Sequence, residues 1–167
     1  MIEVVLGLGS NLGDRESELC RALDYLGTLT ESPIRSSSLY ESEPFGFQSS
    51  NQFLNMVSMV CIDNVTPHQL LQMLKGYEAS RGRRAKKKGE YLDRPIDLDI
   101  LFFGKEVLNG RELVIPHAEI ERRDFVLKPL LEVVPHFFHP VLLMPIEKCL
   151  LAEEATSLQL KGELKCI

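Results

Sequence analysis

The sequence predicts an α+β domain with the element order β-α-β-β-α-β and extra elements at the C-terminus. Three short segments rich in Val, Ile, Leu and Phe have the length of strands, a further strand is predicted after the break at Pro33, and two segments carry apolar residues at helical spacing. Each helical segment stands between two strand segments. This order is the ferredoxin-like pattern, an antiparallel sheet with both helices on one face. The opposite face would then be free for a binding site.

The first strand is predicted over residues 2–8 and the first helix over about 15–28. A glycine-rich turn separates them. Asp14 is a suitable N-cap, because its carboxylate can accept a hydrogen bond from the first helical turn. The buried stripe of the helix is formed by apolar residues three and four positions apart: Leu19, Ala22, Leu23 and Leu26.

The central strands are predicted over residues 34–41 and 53–62, with a loop between them that contains the turn Pro44-Phe45-Gly46. The second helix is expected to begin at Thr66. A proline stands at its first helical position, and Gln69 follows three residues after the cap, as in a capping box.

The fourth strand is predicted over residues 96–103, with a short strand over 106–108. A short helix is expected over 124–133, and the pattern of residues 141–167 is ambiguous. The length of 167 residues is that of one ordinary domain, so we expect a single domain over 1–167.

The composition is that of a globular protein, with 44% hydrophobic and 26% charged residues. No apolar run reaches the roughly 18 residues of a membrane span. The cysteines form no C-x-x-C pair, so we expect neither a zinc site nor a disulfide framework. A reduced, cytoplasmic, monomeric protein without membrane or nucleic-acid partners is the simplest expectation. The cysteines are Cys20, Cys61, Cys149 and Cys166.

Basic side chains are concentrated in one segment of an acidic chain. The net charge is −5, yet residues 81–88 carry six of the nineteen Lys and Arg residues. Such a segment suits a local polyanion such as a triphosphate, although a charge run taken alone is more often a solvated surface loop. No aromatic residues are interleaved with the basic ones, which disfavours binding of single-stranded nucleic acid.

Asp97 and Asp99 are the strongest candidates for a metal site. Side chains alternate between the faces of a strand, so both aspartates should point away from the core, with Cα atoms about 6.5 Å apart. Paired carboxylates offer the hard oxygen ligands that magnesium prefers. The alternative is a solvated strand with two unliganded acids, and the nearby Arg94 favours the metal site. The core face is expected to carry Ile96, Leu98, Ile100 and Phe102.

Phe53 and Asn55 should also share one face of a strand. An aromatic ring beside an amide suits a flat heterocycle, because the ring stacks while the amide offers a donor and an acceptor. A phenylalanine at a strand start is more commonly part of the core. Further along, His117 and Arg123 are candidate phosphate contacts, and Phe125 suits either stacking or the core.

The glycine turn over residues 7–13 follows a strand and precedes a helix, as a nucleotide loop would. It is not G-x-G-x-x-G, and no Gly-Lys-Ser/Thr follows it. We therefore reject a dinucleotide-binding fold.

Taken together, the motifs resemble the 6-hydroxymethyl-7,8-dihydropterin pyrophosphokinase family of folate biosynthesis. They cover about residues 4 to 135, in the order and nearly the spacing of the family. The motifs are Leu8-Gly9-Ser10-Asn11-Leu12-Gly13, Phe53-Leu54-Asn55, Glu78 with Arg81-Gly82-Arg83, Arg94-Pro95-Ile96-Asp97-Leu98-Asp99-Ile100, and Ile115-Pro116-His117 with Arg123-Asp124-Phe125.

The resemblance implies a ferredoxin-like fold and a role for each matching residue. Asp97 and Asp99 match the aspartates that hold two magnesium ions across the ATP phosphates, and Arg83 and Arg94 match catalytic arginines of a mobile loop. The implied pterin contacts are Ser42, Pro44, Phe45, Phe53, Asn55, Asp97 and Phe125. The implied nucleotide contacts are Glu78, Arg94, Ile100, His117 and Arg123.

The sequence departs from the family at four places. Phe53 stands where tyrosine is common, Tyr91 where a tryptophan is common, and Ala118 where a tyrosine is common. Arg111 is displaced by one position from an expected arginine at Glu112. The last two changes affect contacts on the ATP side.

The resemblance implies attack of the pterin hydroxyl on the β-phosphorus of ATP, with AMP as the leaving group. Two magnesium ions would neutralise the triphosphate. No histidine or glutamate is evident as a general base, and Asp99 or a metal-bound arrangement is expected to take the proton. The alternatives are a ferredoxin-like module that binds a nucleotide or metal without turnover and, less favoured, a small nucleic-acid-binding domain.

Overall fold

The computed structural model describes residues 1–83, 92–118, 120, 123–148 and 158–166. Three α-helices and ten strands lie within these residues. The helices are α1 (Arg15–Gly27), α2 (Pro67–Ser80) and α3 (Asp124–Val133). The strands are β1 (Ile2–Ser10), β2 (Arg35–Ser36), β3 (Leu39–Ser42), β4 (Phe53–Ile62), β5 (Asp97–Phe103), β6 (Leu108–Asn109), β7 (Val114–Ile115), β8 (Phe138–His139), β9 (Met144–Pro145) and β10 (Gln159–Gly162).

The main sheet is antiparallel, with the strand order β10-β3-β4-β1-β5 and with β2 paired to β4. The prediction of a mixed α and β architecture with an antiparallel sheet is therefore confirmed. The predicted strand over 34–41 is divided into β2 and β3. No described helix is both long and apolar enough to cross a membrane.

The two long helices begin where their capping residues predict. The Asp14 carboxylate accepts the Ser17 backbone N–H at 3.1 Å, which satisfies one free donor of α1. Thr66 and Gln69 form a complete capping box at the start of α2. The apolar stripes of both helices pack against one face of the sheet, where they meet Val4, Leu6 and other alternate strand residues.

The opposite face of the sheet is partly covered, contrary to the expectation that it would be free. The helix α3 buries Leu127 and Leu130 there against Val5 and Val57. This short helix has a strongly apolar face that must be buried. The sequence predicted the helix over 124–133 but not the side of the sheet on which it packs. Among the described residues, the part of this sheet face beyond α3 is open to a ligand.

Phe102 lies on the opposite face from the predicted one. Leu98 and Ile100 pack under α1 and α2 as expected, but Phe102 packs in the cluster with α3. A register shift causes this difference: Val5 pairs with Phe102, whereas the next residue, Leu6, pairs with Ile100. The extra residue in β5 reverses the alternation beyond Ile100.

Cys20 in α1 and Cys166 near the C-terminus form a disulfide, with Cα atoms 5.5 Å apart. The expectation of no disulfide is therefore wrong. Spacing could not reveal this pair, because 146 residues separate the two cysteines. The bond ties the segment after β10 to α1, while β10 itself pairs with the edge strand β3.

Candidate active site

A pocket with about 640 Å³ of empty space, part of it open to solvent, lies on the sheet face that α3 leaves uncovered. The pocket is lined by residues of β1, β3, β4, β5 and α3 and of the loops that flank them: Gly7, Leu8, Gly9, Ser42, Glu43, Phe45, Phe47, Phe53, Asn55, Met56, Val57, Arg94, Asp97, Asp99, Leu101, Arg123, Phe125 and Val126.

Two rows of cross-strand neighbours form the floor of this pocket. Gly9 in β1 pairs with Asn55 on one side and with Asp97 on the other. Two residues earlier, Gly7 pairs with Val57 and with Asp99. Paired residues share a face of the sheet, so the glycines leave open space between an amide-bearing strand and a carboxylate-bearing strand.

Gly9 is needed for this open floor. A Cβ atom at this position would lie 3.2 Å from Oδ1 of Asn55 and 3.5 Å from Cδ1 of Phe53. The sequence analysis considered the glycines only as a possible phosphate loop and missed this role. Gly7 and Gly9 are two residues apart and so share one face of a strand. This spacing was the sequence feature that could have indicated an open floor.

Asn55 is buried and held in one orientation. Its Nδ2 donates to Oγ of Ser42 at 2.9 Å and approaches the Tyr40 carbonyl at 3.4 Å. The neighbouring strand β3 therefore fixes the amide group without any bound ligand. A fixed amide with its oxygen towards Gly9 can recognise the polar edge of a flat ring.

Aromatic rings form the walls, each with an arginine beside it. Arg94 Cζ lies 5.1 Å from the ring centroid of Phe53. On the other wall, Arg123 Cζ lies 5.2 Å from the Phe45 centroid and 5.7 Å from the Phe125 centroid. These distances are in the range of cation–π contacts. The structure thus brings the predicted aromatic residues to one pocket.

Phe47 is a further aromatic lining residue that the sequence analysis missed. Its ring packs edge-on against Phe53, with centroids 6.3 Å apart. It lies in the loop between β3 and β4, where a lone phenylalanine has no periodic pattern around it. Its place two residues after Phe45 was the available indication.

Asp97 and Asp99 lie on the pocket face, as the strand alternation predicted. Burial and the neighbouring Asp97 charge raise the pKa of the Asp99 carboxyl, against the effect of His117 and Arg123. Two carboxylates crowded in this way gain stability from a cation. No group of three or more acidic, histidine or cysteine ligands occurs in the described part of the chain.

Arg83, which matches an arginine of a mobile loop, already contacts the acidic pair. Its guanidinium pairs with Asp97 and with Glu78. Arg94 pairs with the other oxygen of Asp97, Nη2 to Oδ2, at 2.6 Å. The proximity of the end of α2 to β5 explains this contact of Arg83. The mobile loop was predicted over residues 82–95, and its residues 84–91 lie outside the described residues.

Glu78 is buried at the base of the acidic cluster. Its Oε1 accepts the Leu98 backbone N–H at 2.7 Å, so it links α2 to β5. Burial raises the pKa of Glu78 to about 7, although the charge of Arg83 opposes the shift. The structure thus gives Glu78 a structural hydrogen bond. Its contact with a nucleotide stays a prediction.

Other predicted site residues lie outside this pocket. The side chain of Ile100 is buried under the helices, so a nucleotide could meet only its backbone. His117 and Pro44 do not line the pocket, and the His117 N–H donates to the Leu101 carbonyl at 3.0 Å. Arg111 and Ala118 are exposed. Tyr91 lies outside the described residues.

Comparison with known proteins gives a consistent family. The family model described as 7,8-dihydro-6-hydroxymethylpterin-pyrophosphokinase (HPPK) matches residues 5–135. The chain is 38% identical over 148 residues to the 2-amino-4-hydroxy-6-hydroxymethyldihydropteridine pyrophosphokinase of Aquifex aeolicus, covering 89% of this chain and 90% of the relative. It is 42% identical over 142 residues to the enzyme of the same name from Porphyromonas gingivalis, covering 84% and 95%.

Solved structures agree in fold. A crystal structure of Plasmodium falciparum HPPK-DHPS superposes with a TM-score of 0.68 at 19% identity, over 89% of this chain. The chain spans only 41% of that longer protein. At this identity the likeness concerns the fold alone, whereas the match over residues 5–135 concerns the sequence itself. The chain belongs to the 7,8-dihydro-6-hydroxymethylpterin-pyrophosphokinase family.

Proposed function

We propose that this chain transfers pyrophosphate from ATP to the hydroxymethyl group of 6-hydroxymethyl-7,8-dihydropterin and releases AMP, a step of folate biosynthesis. One observation carries the proposal. A single pocket joins a fixed amide between aromatic walls to a pair of aspartates with arginines beside them. The named relatives, at 38% and 42% identity over most of their length, support this activity.

The pterin ring would lie between Phe53 and Phe125, with its polar edge on the Asn55 amide. Ser42 holds that amide by a hydrogen bond of 2.9 Å. Gly9 lies between Asn55 and Asp97 in the strand register, so a ring bound at the amide extends towards the acidic pair. This placement would bring the hydroxymethyl group of the substrate near the carboxylates.

The residues present fit two magnesium ions bound together with ATP. Asp97 and Asp99 supply hard oxygen ligands on one face. Burial and the neighbouring Asp97 charge raise the pKa of Asp99, so a further cation at this pair would favour its charged form. Phosphate oxygens would complete the coordination. When bound, the ions would neutralise the charge of the triphosphate and align its β-phosphorus.

The chain's own cations would act on the same phosphates. Arg94 and Arg83 lie at the acidic pair, and Arg123 lies on the far wall. Fixed guanidinium groups stabilise charge that develops on the transferred group. The substrate oxygen forms a bond to the β-phosphorus as the bond to the α-phosphate oxygen breaks. The proton of the hydroxyl passes to Asp99 or to solvent.

We also infer a ferredoxin-like topology in a single pyrophosphokinase domain. The order β3-β4-β1-β5, with α1 and α2 on one face, supports this topology. A monomer stays a prediction from the sequence. So does a cytoplasmic location, and the Cys20–Cys166 disulfide weighs against the reducing environment that it assumes.

The test is an incubation with ATP, magnesium and the hydroxymethyl-dihydropterin, followed by quantification of nucleotides. We expect AMP and the pterin pyrophosphate in equal amounts. Asp97→Asn and Asp99→Asn should abolish AMP release, while Asp63→Asn, an exposed acid paired with the N-terminus, should not. Formation of ADP would contradict attack at the β-phosphorus, and binding of both ligands without AMP would favour a module that does not turn over.

A further inference from the structure

Three loops meet at Asn11, directly after β1. The Asn11 side chain is 2% exposed. Its Nδ2 donates to Oδ1 of Asp93 at 2.7 Å and to the Asn51 carbonyl at 3.3 Å. Its Oδ1 accepts the Arg94 backbone N–H at 2.8 Å. Asn11 therefore joins the loop before β4 to the segment before β5.

Asp93 closes this network. Its Oδ1 accepts from Asn11, and its Oδ2 accepts from Nδ2 of Asn51 at 2.6 Å. Both carboxylate oxygens thus receive amide donors from two different loops. Burial alone would raise the pKa of Asp93, but hydrogen bonds from Ser49, Asn11 and Asn51 hold it below the usual value.

The network ends at two residues of the pocket. Asn51 lies two residues before Phe53, which begins β4. Arg94 is the next residue after Asp93, and its backbone is held from both sides by Asn11: the Asn11 N–H also donates to the Arg94 carbonyl, at 3.2 Å. The Arg94 guanidinium then lies 5.1 Å from the Phe53 ring and 2.6 Å from Asp97.

Arg94 has few other constraints on its position. Its Nε is buried without a hydrogen-bond partner in the described part of the chain. The guanidinium is placed by the ion pair with Asp97, the contact with the Phe53 ring and a hydrogen bond from Nη1 to the Leu92 carbonyl at 3.4 Å. A long side chain held in this way depends on the backbone of its own segment for its direction. The backbone anchor is therefore as important for the guanidinium as the contacts of the guanidinium itself.

We propose that Asp93, with Asn11 and Asn51, is a positioning network that fixes Arg94 beside the pocket and couples it to the loop leading into the Phe53 wall. The inference rests on the proposed function, in which Arg94 acts on the transferred group. Asp93 touches no substrate in this account and acts only through the placement of Arg94 and Phe53.

An exchange of the two side chains tests the network. In Asp93→Asn, one amide hydrogen-bond donor faces another, because the new NH2 group meets Asn11 or Asn51. In Asn51→Asp, two carboxylates face each other. In the double variant Asn51→Asp/Asp93→Asn, the amide at position 93 can donate to the carboxylate at position 51. One donor again faces one acceptor, and the net charge is unchanged.

We expect each single variant to lower kcat by about ten- to hundredfold, because small misplacements of a positioned group cost that much. The KM for ATP should change by less than about threefold. The double variant should recover kcat to within about threefold of the unchanged chain. In an Arg94→Ala background, Asp93→Asn should lose most of its effect on kcat, because only the coupling to the Phe53 wall remains.

Two measurements separate a positioning role from mere stability. Hydrogen exchange of the Arg94 amide should accelerate in the single variants and slow again in the double variant, with or without activity. Ile62→Val, at the far end of β4 from the pocket, is the control for general destabilisation and should leave kcat unchanged.

The outcomes are distinct. Additive losses in the double variant, or a full effect of Asp93→Asn in the Arg94→Ala background, overturn the proposal. Recovery of amide protection without recovery of kcat reduces the network to a structural one and also overturns it. Absence of AMP from the unchanged chain would instead overturn the proposed function, and the exchange data would still report on the network.

Discussion

Nη2 of Arg94 lies 2.6 Å from Oδ2 of Asp97, and Arg83 pairs with the other oxygen of the same carboxylate. Two cations that are proposed to act on phosphate are therefore held by a proposed magnesium ligand. A magnesium ion held by Asp97 would compete with these guanidinium groups for the same carboxylate oxygens. A guanidinium displaced in this way would stay near the bound phosphates, so we propose that metal binding and the placement of the arginines are coupled.

Arg83→Ala should lower kcat by about a hundredfold or more, because a fixed cation at the developing charge is lost. The affinity for ATP, measured by calorimetry, should change little. Arg81→Ala is the matched control, since Arg81 pairs with Glu18 at 2.8 Å, away from the acidic pair. Equal effects of the two substitutions on kcat would contradict the assignment of Arg83.

Asn55→Ala should weaken pterin binding about ten- to hundredfold and leave ATP binding nearly unchanged. The pterin edge would lose its hydrogen-bond partner in a buried site, at a cost of roughly 1–3 kcal/mol. Phe125→Ala should have the same selectivity through lost stacking. Calorimetry with each ligand checks this, and equal losses for both ligands would assign the residues to the core instead.

Gly9→Ala should weaken pterin binding without unfolding the chain. The new Cβ would lie 3.2 Å from Oδ1 of Asn55 and must displace the amide or the Phe53 ring. Gly76→Ala, where a Cβ meets nothing within 4 Å, is the control and should raise stability slightly. Unchanged pterin affinity in Gly9→Ala would show that the floor tolerates a methyl group.

Glu78→Gln should remove a pH dependence of stability. Burial raises the pKa of Glu78 from 4.5 to about 7, so the folded state favours the protonated form. The resulting stability is present below about pH 4.5 and is lost as the pH rises through about 7.

Between about pH 5 and about pH 8, the free energy of unfolding of the unchanged chain should fall by on the order of 2 kcal/mol more than that of Glu78→Gln. Denaturant unfolding with a chelator present measures this difference. The glutamine keeps an oxygen that can accept the Leu98 N–H, so the hydrogen bond at 2.7 Å is controlled for. Parallel pH profiles of the two chains would mean that Glu78 is ionised in the folded state throughout this pH range, and they would contradict the raised pKa.

Cys166→Ser should lower the free energy of unfolding by about 2–4 kcal/mol under oxidising conditions, because the cross-link restricts the unfolded chain. A reductant should destabilise the unchanged chain but not the variant. Cys61→Ser, at a free cysteine, is the control. A non-reduced digest should contain the Cys20–Cys166 peptide pair, and its absence would contradict the disulfide.

The sequence by itself determined the local elements and the chemical character of the site. The caps at Asp14 and Thr66 and the strand-forming run Phe53–Ile62 depend on residues close together in the chain. The alternation of side chains along a strand placed Asp97 and Asp99 on one face, because that consequence of strand geometry needs no knowledge of the neighbouring strands. The order of its motifs identified the family.

Only the tertiary structure decided how distant segments combine. The reversal at Phe102 depends on the pairing of β5 with β1, and the partial cover by α3 depends on where that helix packs. Contacts across 82 residues at Asn11 and Asp93, and across 146 residues at Cys20 and Cys166, have no local pattern. Periodicity reports the direction of a side chain, whereas its partner is fixed by the packing of the whole chain.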